Sequence, residues 1–258
     1  MTEIRTEGLS IGYGGNPIVS GIDLSFGGPE FVCILGQNGA GKTTLAKALT
    51  KLVKPLSGRI TVDGRDMSQI SLPELSRIIA YVSSEFSTVF SMSVTEAVLT
   101  GRHPYSGWGT SEEDLRIADW AVSKLNLQDL ADADVRDLSS GQLQRVTIAM
   151  GIAQKTPVLI LDEPTSNLDV KYQMEVMGFL RRYAHEEGVT VIMVCHDINL
   201  TFSYADRVIL VSGGRIYADG APGDVLTEES IRDVYGVESK VAEIDGRMYI
   251  LIVREDLR

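Results

Sequence analysis

Hydrophobic and polar positions change their period several times along this chain, and each change predicts an element. The stretch EIRTEGLSIGY (3–13) alternates apolar and polar side chains. So does PIVSGIDLSF (17–26), and after Gly27, Gly28 and Pro29 comes the more apolar EFVCIL (30–35). Alternation broken by turn residues predicts an antiparallel strand set at the start. A glycine-rich loop follows, then a helix from about Thr43. RITVDGRDM (59–67) reads as a further strand with an Asp63-Gly64 turn, and IIAYVSS (78–84) as a buried strand.

From about Ser93 to Lys155 apolar residues recur mostly at helical spacing. There SEEDLRIADWAVSKLN (111–126) opens on Ser111, an N-cap residue with Asp114 three positions on. TPVLILDEP (156–164), VTVIMVCHD (189–197) and RVILVSGGR (207–215) are short, β-branched and continuously apolar. That is the pattern of strands covered on both faces of a parallel sheet. DVLTEESIRDVYG (224–236) predicts a short helix, and KVAEIDGRMYILIV (240–253) a hairpin turning at Asp245-Gly246. The expected order is a β-rich start, a helical insertion and a return to alternating strand and helix, all sharing one sheet. No repeat or low-complexity linker interrupts it.

Composition narrows the function classes. With 44% hydrophobic and 23% charged side chains in 258 residues, the chain has ample material for a core. A net charge of −11 argues against a nucleic-acid surface built on bulk electrostatics. The two cysteines, Cys33 and Cys195, lie in apolar strand-like runs and read as core residues in a reducing compartment. The opening MTEIRTEGLS lacks the basic start and apolar block of a signal peptide. No apolar run reaches the roughly 18 residues of a membrane span, so a membrane role is expected to go through a partner.

Candidate chemistry sits at strand ends. GQNGAGKT (Gly36, Gln37, Asn38, Gly39, Ala40, Gly41, Lys42, Thr43), with Thr44 next, follows FVCIL and opens a helix. Glycines without Cβ atoms let backbone N–H groups and the helix N-terminus converge on phosphate oxygens. Lys42 adds a point charge for the outer phosphates, and the Thr43 hydroxyl suits Mg²⁺. VLILDEP puts Asp162 and Glu163 at the C-terminal end of a buried strand, where open parallel sheets keep their ligand crevice. Asp162 suits a water-bridged metal, and Glu163 an attacking water. His196 ends its strand in the same way. In DLSSGQLQRV (137–146), Ser139, Ser140 and Gly141 leave bare backbone donors at the start of a helix, ready for an anion.

Taken in order, GQNGAGKT, LSSGQ, LILDEP, SNLD and CHD resemble the ATP-binding subunits of ABC transporters, and the resemblance covers nearly the whole chain. It implies an α/β fold: a P-loop NTPase (RecA-like) core with an N-terminal antiparallel β subdomain and an inserted helical subdomain. The ATP-binding domain is expected over 2–237, with the helical subdomain at about 86–156 and a C-terminal β-hairpin extension at 238–258. Further implications are ATP and Mg²⁺ as ligands, a homodimer in the ATP state, and two membrane permease subunits. An extracytoplasmic substrate-binding protein, a peripheral position on the cytoplasmic face of the membrane and no nucleic acid complete the expected setting.

Residue by residue, Tyr13 resembles the aromatic that stacks on adenine. Ser139, Ser140, Gly141 and Gln142 resemble the signature motif that caps the partner's ATP, with Ser140 replacing a commoner glycine. Asp169 resembles the residue that couples the two sites, Glu163 the catalytic base and His196 the switch histidine at the γ-phosphate. Thr43 and Asp162 are the expected metal-side residues. One departure stands out: Ser84, a third metal-side candidate, takes the place of the family's usual glutamine, and Glu85 follows. Either a water or Glu85 replaces that amide, or turnover is altered. GRHPY (101–105) and DGAPGDVLTEESIRDVYGVE (219–238) look most like importers of iron-siderophore, haem and cobalamin complexes. The alternative is a soluble ABC ATPase of iron–sulfur cluster assembly.

Overall fold

In the computed structural model, residues 1–83, 91–105 and 109–253 are described. The alternating segments near the start become β1 (Glu3–Tyr13) and β2 (Asn16–Gly27). With β4 (Ser57–Val62) and β5 (Arg65–Asp66) they form an antiparallel sheet of order β2-β1-β4-β5. Thr61↔Asp66 and Val62↔Arg65 pair across the expected Asp63-Gly64 turn.

The apolar runs build a second sheet of order β10-β9-β3-β8-β7-β6. Its strands are β3 (Phe31–Gly36), β6 (Ile79–Val82), β7 (Val158–Asp162), β8 (Thr190–Val194), β9 (Arg207–Ser212) and β10 (Arg215–Gly220). All pairings are parallel except that of β10 with β9. Two expectations are corrected here. EFVCIL does not join the antiparallel set: β3 lies between β8 and β9, buried at every position. Nor is there one shared sheet, since β11 (Ser239–Ile244) and β12 (Arg247–Ile252) also pair only with each other. The physical reason lies in coverage. A strand apolar on both faces needs a layer on each, and the middle of a parallel sheet provides both.

The two layers are distinct cores. Phe31, Cys33 and Leu35 of β3 face one cluster with the helical residues, and Val32 and Ile34 face the other with the antiparallel sheet. The second layer includes α1 (Lys42–Leu49), which starts one residue before the expected Thr43. A short α2 (Leu72–Leu75) precedes β6. The helical stretch supplies α3 (Val94–Thr100), α4 (Glu112–Lys124) and α5 (Ser140–Ala153). Reciprocal capping boxes begin all three: Ser93 with Glu96, Ser111 with Asp114, and Ser139 with Gln142. Each satisfies two orphan N–H groups of a helix end.

A buried guanidinium joins these helices. Arg102 Nε donates to Asp114 Oδ1 at 2.8 Å, and its Nη1 donates to the Ala153 carbonyl at 2.9 Å. The remaining helices are α6 (Val170–Glu187), α7 (Ile198–Tyr204), α8 (Pro222–Val225) and α9 (Glu228–Tyr235). The β11–β12 hairpin is held to α7 by Asn199, whose Oδ1 accepts from Ile250 N at 2.8 Å and whose Nδ2 donates to Ile250 O at 3.2 Å. Both cysteines are buried and free. Among the described residues no helix is long and apolar enough to cross a membrane.

Candidate functional site

Three parallel strands end side by side, and the loops that leave them make the site. β3 ends in Gly36, whose φ is +149°, where a Cβ would lie 2.2 Å from the Val211 carbonyl oxygen. Only glycine fits there. The loop then curls over Lys42, which is 4% exposed and donates from Nζ to Gly36 O at 2.8 Å and to Gln37 O at 3.0 Å. The lysine thus shapes the loop from within. Burial lowers its pKa, opposed by the carboxylates of Glu163 and Asp162.

Strand β7 ends in Asp162, buried at 3% exposure. Its Oδ1 accepts from Thr43 Oγ1 at 2.9 Å, joining α1 to β7 across 119 positions of sequence. Its Oδ2 accepts from Tyr81 Oη at 3.2 Å. Burial raises the Asp162 pKa, and the hydrogen bonds from Thr43 and Tyr81 pull it back. Burial likewise pushes the Tyr81 hydroxyl well above the usual phenol range, so it stays a donor at neutral pH.

Glu163 follows at φ +51°, in the left-handed region that a residue with a Cβ seldom enters. Its N–H donates to Val194 O at 3.2 Å, and the Ser166 hydroxyl donates to its carbonyl at 3.0 Å. Those bonds hold the bend that turns the side chain out of the sheet. The carboxylate Oε1 then lies 2.6 Å from His196 Nε2, beyond the end of β8. Ile18, Asn38, Gly39, Gly41, Lys42, Thr43, Thr44, Glu163 and His196 line one cleft of about 450 Å³. An imidazole, an amine and a carboxyl side chain therefore share a space of the size a nucleoside phosphate needs.

Other expected residues lie apart from the cleft. Tyr13 ends β1 and is 53% exposed. Ser139 and Gln142 spend their groups on each other: Gln142 Oε1 accepts from Ser139 N at 2.8 Å and Ser139 Oγ accepts from Gln142 N at 3.3 Å. The N–H groups of Ser140 and Gly141 stay at the open helix end. Gly141 abuts the loop before α6, where a Cβ would stand 3.3 Å from the Asn167 carbonyl oxygen. Asp169 caps α6 by accepting from Tyr172 N at 3.0 Å. Ser84 and Glu85 lie outside the described residues. Sequence reasoning missed Tyr81 and Ile18. The one available signal for Tyr81 was the parity of its strand, which puts it on the face of Ile79 rather than of Ala80 and Val82.

The family pattern described as ABC transporter matches residues 19–166. The chain is 36% identical over 245 residues to the probable siderophore transport system ATP-binding protein YusV of Bacillus subtilis, covering 94% of this chain and 89% of that one. It is 35% identical to the achromobactin transport ATP-binding protein CbrD of Dickeya dadantii, covering 93% and 90%. Among solved structures, an inward-facing ABC transporter described as metal-chelate type superposes with a TM-score of 0.84 at 27% identity, covering 98% of this chain and 97% of that one. A dimeric bacterial ABC transporter cassette gives 0.77 at 28% identity, covering 85% and 98%. With the family pattern spanning more than half of the sequence and relatives matching nearly all of it, the chain belongs to the ABC transporter family as an ATP-binding, ATP-hydrolysing subunit.

Proposed function

We propose that this ATPase energises import of a metal chelate of the iron-siderophore, haem or cobalamin type. It works as a dimer on the cytoplasmic face of the membrane, bound to two permease subunits that receive substrate from an extracytoplasmic binding protein. The observation that carries the reading is extent: the siderophore and achromobactin relatives align over nine-tenths of the chain, well beyond the residues of the family pattern.

The site residues support a division of labour in hydrolysis. The loop N–H groups and the start of α1 bind phosphate oxygens, and Lys42 neutralises the outer phosphates. Glu163 takes the role of base toward a water, and His196, which now holds Glu163 at 2.6 Å, turns to the γ-phosphate once it arrives. Tyr13 offers its exposed ring to adenine. Ser140 and Gly141 offer their N–H groups to the partner chain's ATP, and Asp169 couples the two sites.

Thr43 and Asp162 fit Mg²⁺. Thr43 lines the cleft and its hydroxyl meets the Asp162 carboxylate at 2.9 Å, so two hard oxygen groups lie together beside the phosphate loop, and Mg²⁺ takes only one or two protein ligands beside phosphate and water. The ion supplies charge neutralisation on the β- and γ-phosphate oxygens when bound.

Uptake of a ferric siderophore into vesicles, with the ATPase and its co-expressed permeases reconstituted, tests the proposal. ATP-dependent accumulation that stops with Glu163→Gln is the expected result. An ATPase that hydrolyses ATP but stays in the soluble fraction beside its co-expressed permeases would instead support the iron–sulfur assembly role.

A further inference from the structure

Tyr81 is absent from the phosphate loop, the signature stretch and the acidic strand end, yet its hydroxyl reaches the acid expected to face the metal. The register explains how. β6 and β7 run parallel with Tyr81 opposite Ile160, so Asp162 is the diagonal neighbour two positions on. Tyr81 belongs to the layer of Ile160, and β-strand alternation puts Asp162 on that same face. A diagonal neighbour lies about 7–8 Å away, a span that aromatic side chains bridge. The phenol does so, placing Oη 3.2 Å from Oδ2, while Thr43 Oγ1 serves Oδ1 at 2.9 Å.

Each oxygen of this buried carboxylate therefore has its own donor from a different element. The distinction matters because a buried carboxylate with one unserved oxygen is poorly solvated and free to turn about its last torsion. Tyr81 removes that freedom from the side of β6, and Thr43 from the side of α1.

We infer that Tyr81 is a positioning residue for the metal-side carboxylate, fixing Asp162 so that it meets a divalent cation in one orientation. The inference rests on the proposed role of Thr43 and Asp162 toward Mg²⁺.

The test uses the intact subunit with Mn²⁺ in place of Mg²⁺ and the non-hydrolysable analogue AMP-PNP. Free Mn²⁺ is measured by electron paramagnetic resonance, and analogue affinity in EDTA by equilibrium titration. Tyr81→Phe keeps the ring and its packing and removes only the hydroxyl. The expected result is Mn²⁺ retention weakened roughly tenfold, as for loss of a hydrogen bond to a charged group, with analogue affinity in EDTA within about twofold of wild type. Unchanged Mn²⁺ retention overturns the inference, as does an equal loss of analogue affinity without metal. Asp162→Asn separates the two layers of argument. If it releases Mn²⁺ while Tyr81→Phe does not, only the role of Tyr81 fails. If it leaves Mn²⁺ bound, the metal role of Asp162 fails with it.

Discussion

At Glu163 the backbone adopts a conformation that costs about 1–2 kcal/mol for a residue with a Cβ, and the reward is a carboxylate 2.6 Å from His196 at the cleft wall. Glu163→Gln keeps the shape and the bend but removes the proposed base. Phosphate release in a single turnover should fall about 10²–10⁴-fold, with nucleotide affinity by titration unchanged. Hydrolysis within tenfold of wild type would place the base elsewhere. The glycines give a graded comparison. At Gly41, φ is +99° and a Cβ would meet Val19 Cγ2 at 2.2 Å, whereas at Gly39, φ is +78° with nothing within 4 Å. Gly39→Ala should cost only the left-handed penalty of about 1–2 kcal/mol. Gly41→Ala adds a collision with β2 and should cost markedly more in urea unfolding, with weaker nucleotide binding. Equal costs would show that β2 yields.

Residues of this kind differ in how far the sequence announces them. The phosphate loop is legible because its glycines, lysine and threonine act within a few positions of one another. Tyr81 and Asp162 are 81 positions apart, and strand parity gives the tyrosine a face but not a partner. Only a register, which folding supplies, brings the pair together.

Among the elements, the junction of α3, α4 and α5 depends on one buried ion pair. Arg102 and Asp114 have side chains 8% and 7% exposed, and Arg102 also donates to the carbonyl at the end of α5. Arg102→Met leaves the carboxylate buried without its partner and should cost about 3–5 kcal/mol in urea unfolding. Adding Asp114→Leu should recover part of that loss, because no stranded charge remains. A double variant no better than the single would assign the cost to the lost carbonyl contacts instead.

The same pair sets an acid limit. Hydrogen bonds from Ser111 and Arg102 lower the Asp114 pKa from 3.8 to about 2. Between those values the unfolded chain binds more protons than the folded one, so stability falls as pH falls. The contribution is complete above 3.8 and is lost on approaching about 2. Asp114→Asn should flatten that limb of the acid-unfolding curve, and an unchanged slope would shift the titrating role to another carboxylate. Capping boxes such as Ser111 with Asp114 are legible because donor and acceptor lie three residues apart. EFVCIL misleads because Gly27, Gly28 and Pro29 look like a hairpin turn, while the five apolar residues after Glu30 carry no sign of which sheet will cover them.

For the whole molecule, the question is where the N-terminus of α5 finds its anion. Gly141 packs against the loop that leads to Asp169, and neither belongs to the cleft lined by Lys42 and Glu163. Ser140 and Gly141 keep open N–H groups, which is what a phosphate from outside the chain requires. On the proposed reading a second copy related by two-fold symmetry supplies one, since each interface then meets itself. Ser140→Arg should leave nucleotide binding by each chain intact and abolish hydrolysis, whereas loss of both would mean a misfolded helix end. Mixing gives the sharper test. Ser140→Arg spoils only the helix end, and Lys42→Ala only the phosphate loop, so each variant alone lacks a complete site. A mixed pair has one complete site, made from the phosphate loop of the first chain and the helix end of the second. Random pairing should restore roughly a quarter of the wild-type sites, because half the dimers are mixed and each has one good site of two. Single-turnover phosphate release above the sum of the separate variants is the expected outcome. If mixing restores nothing while sizing shows that the chains pair, the helix end serves its own chain, and the shared site is lost as an explanation for the open donors at Ser140 and Gly141.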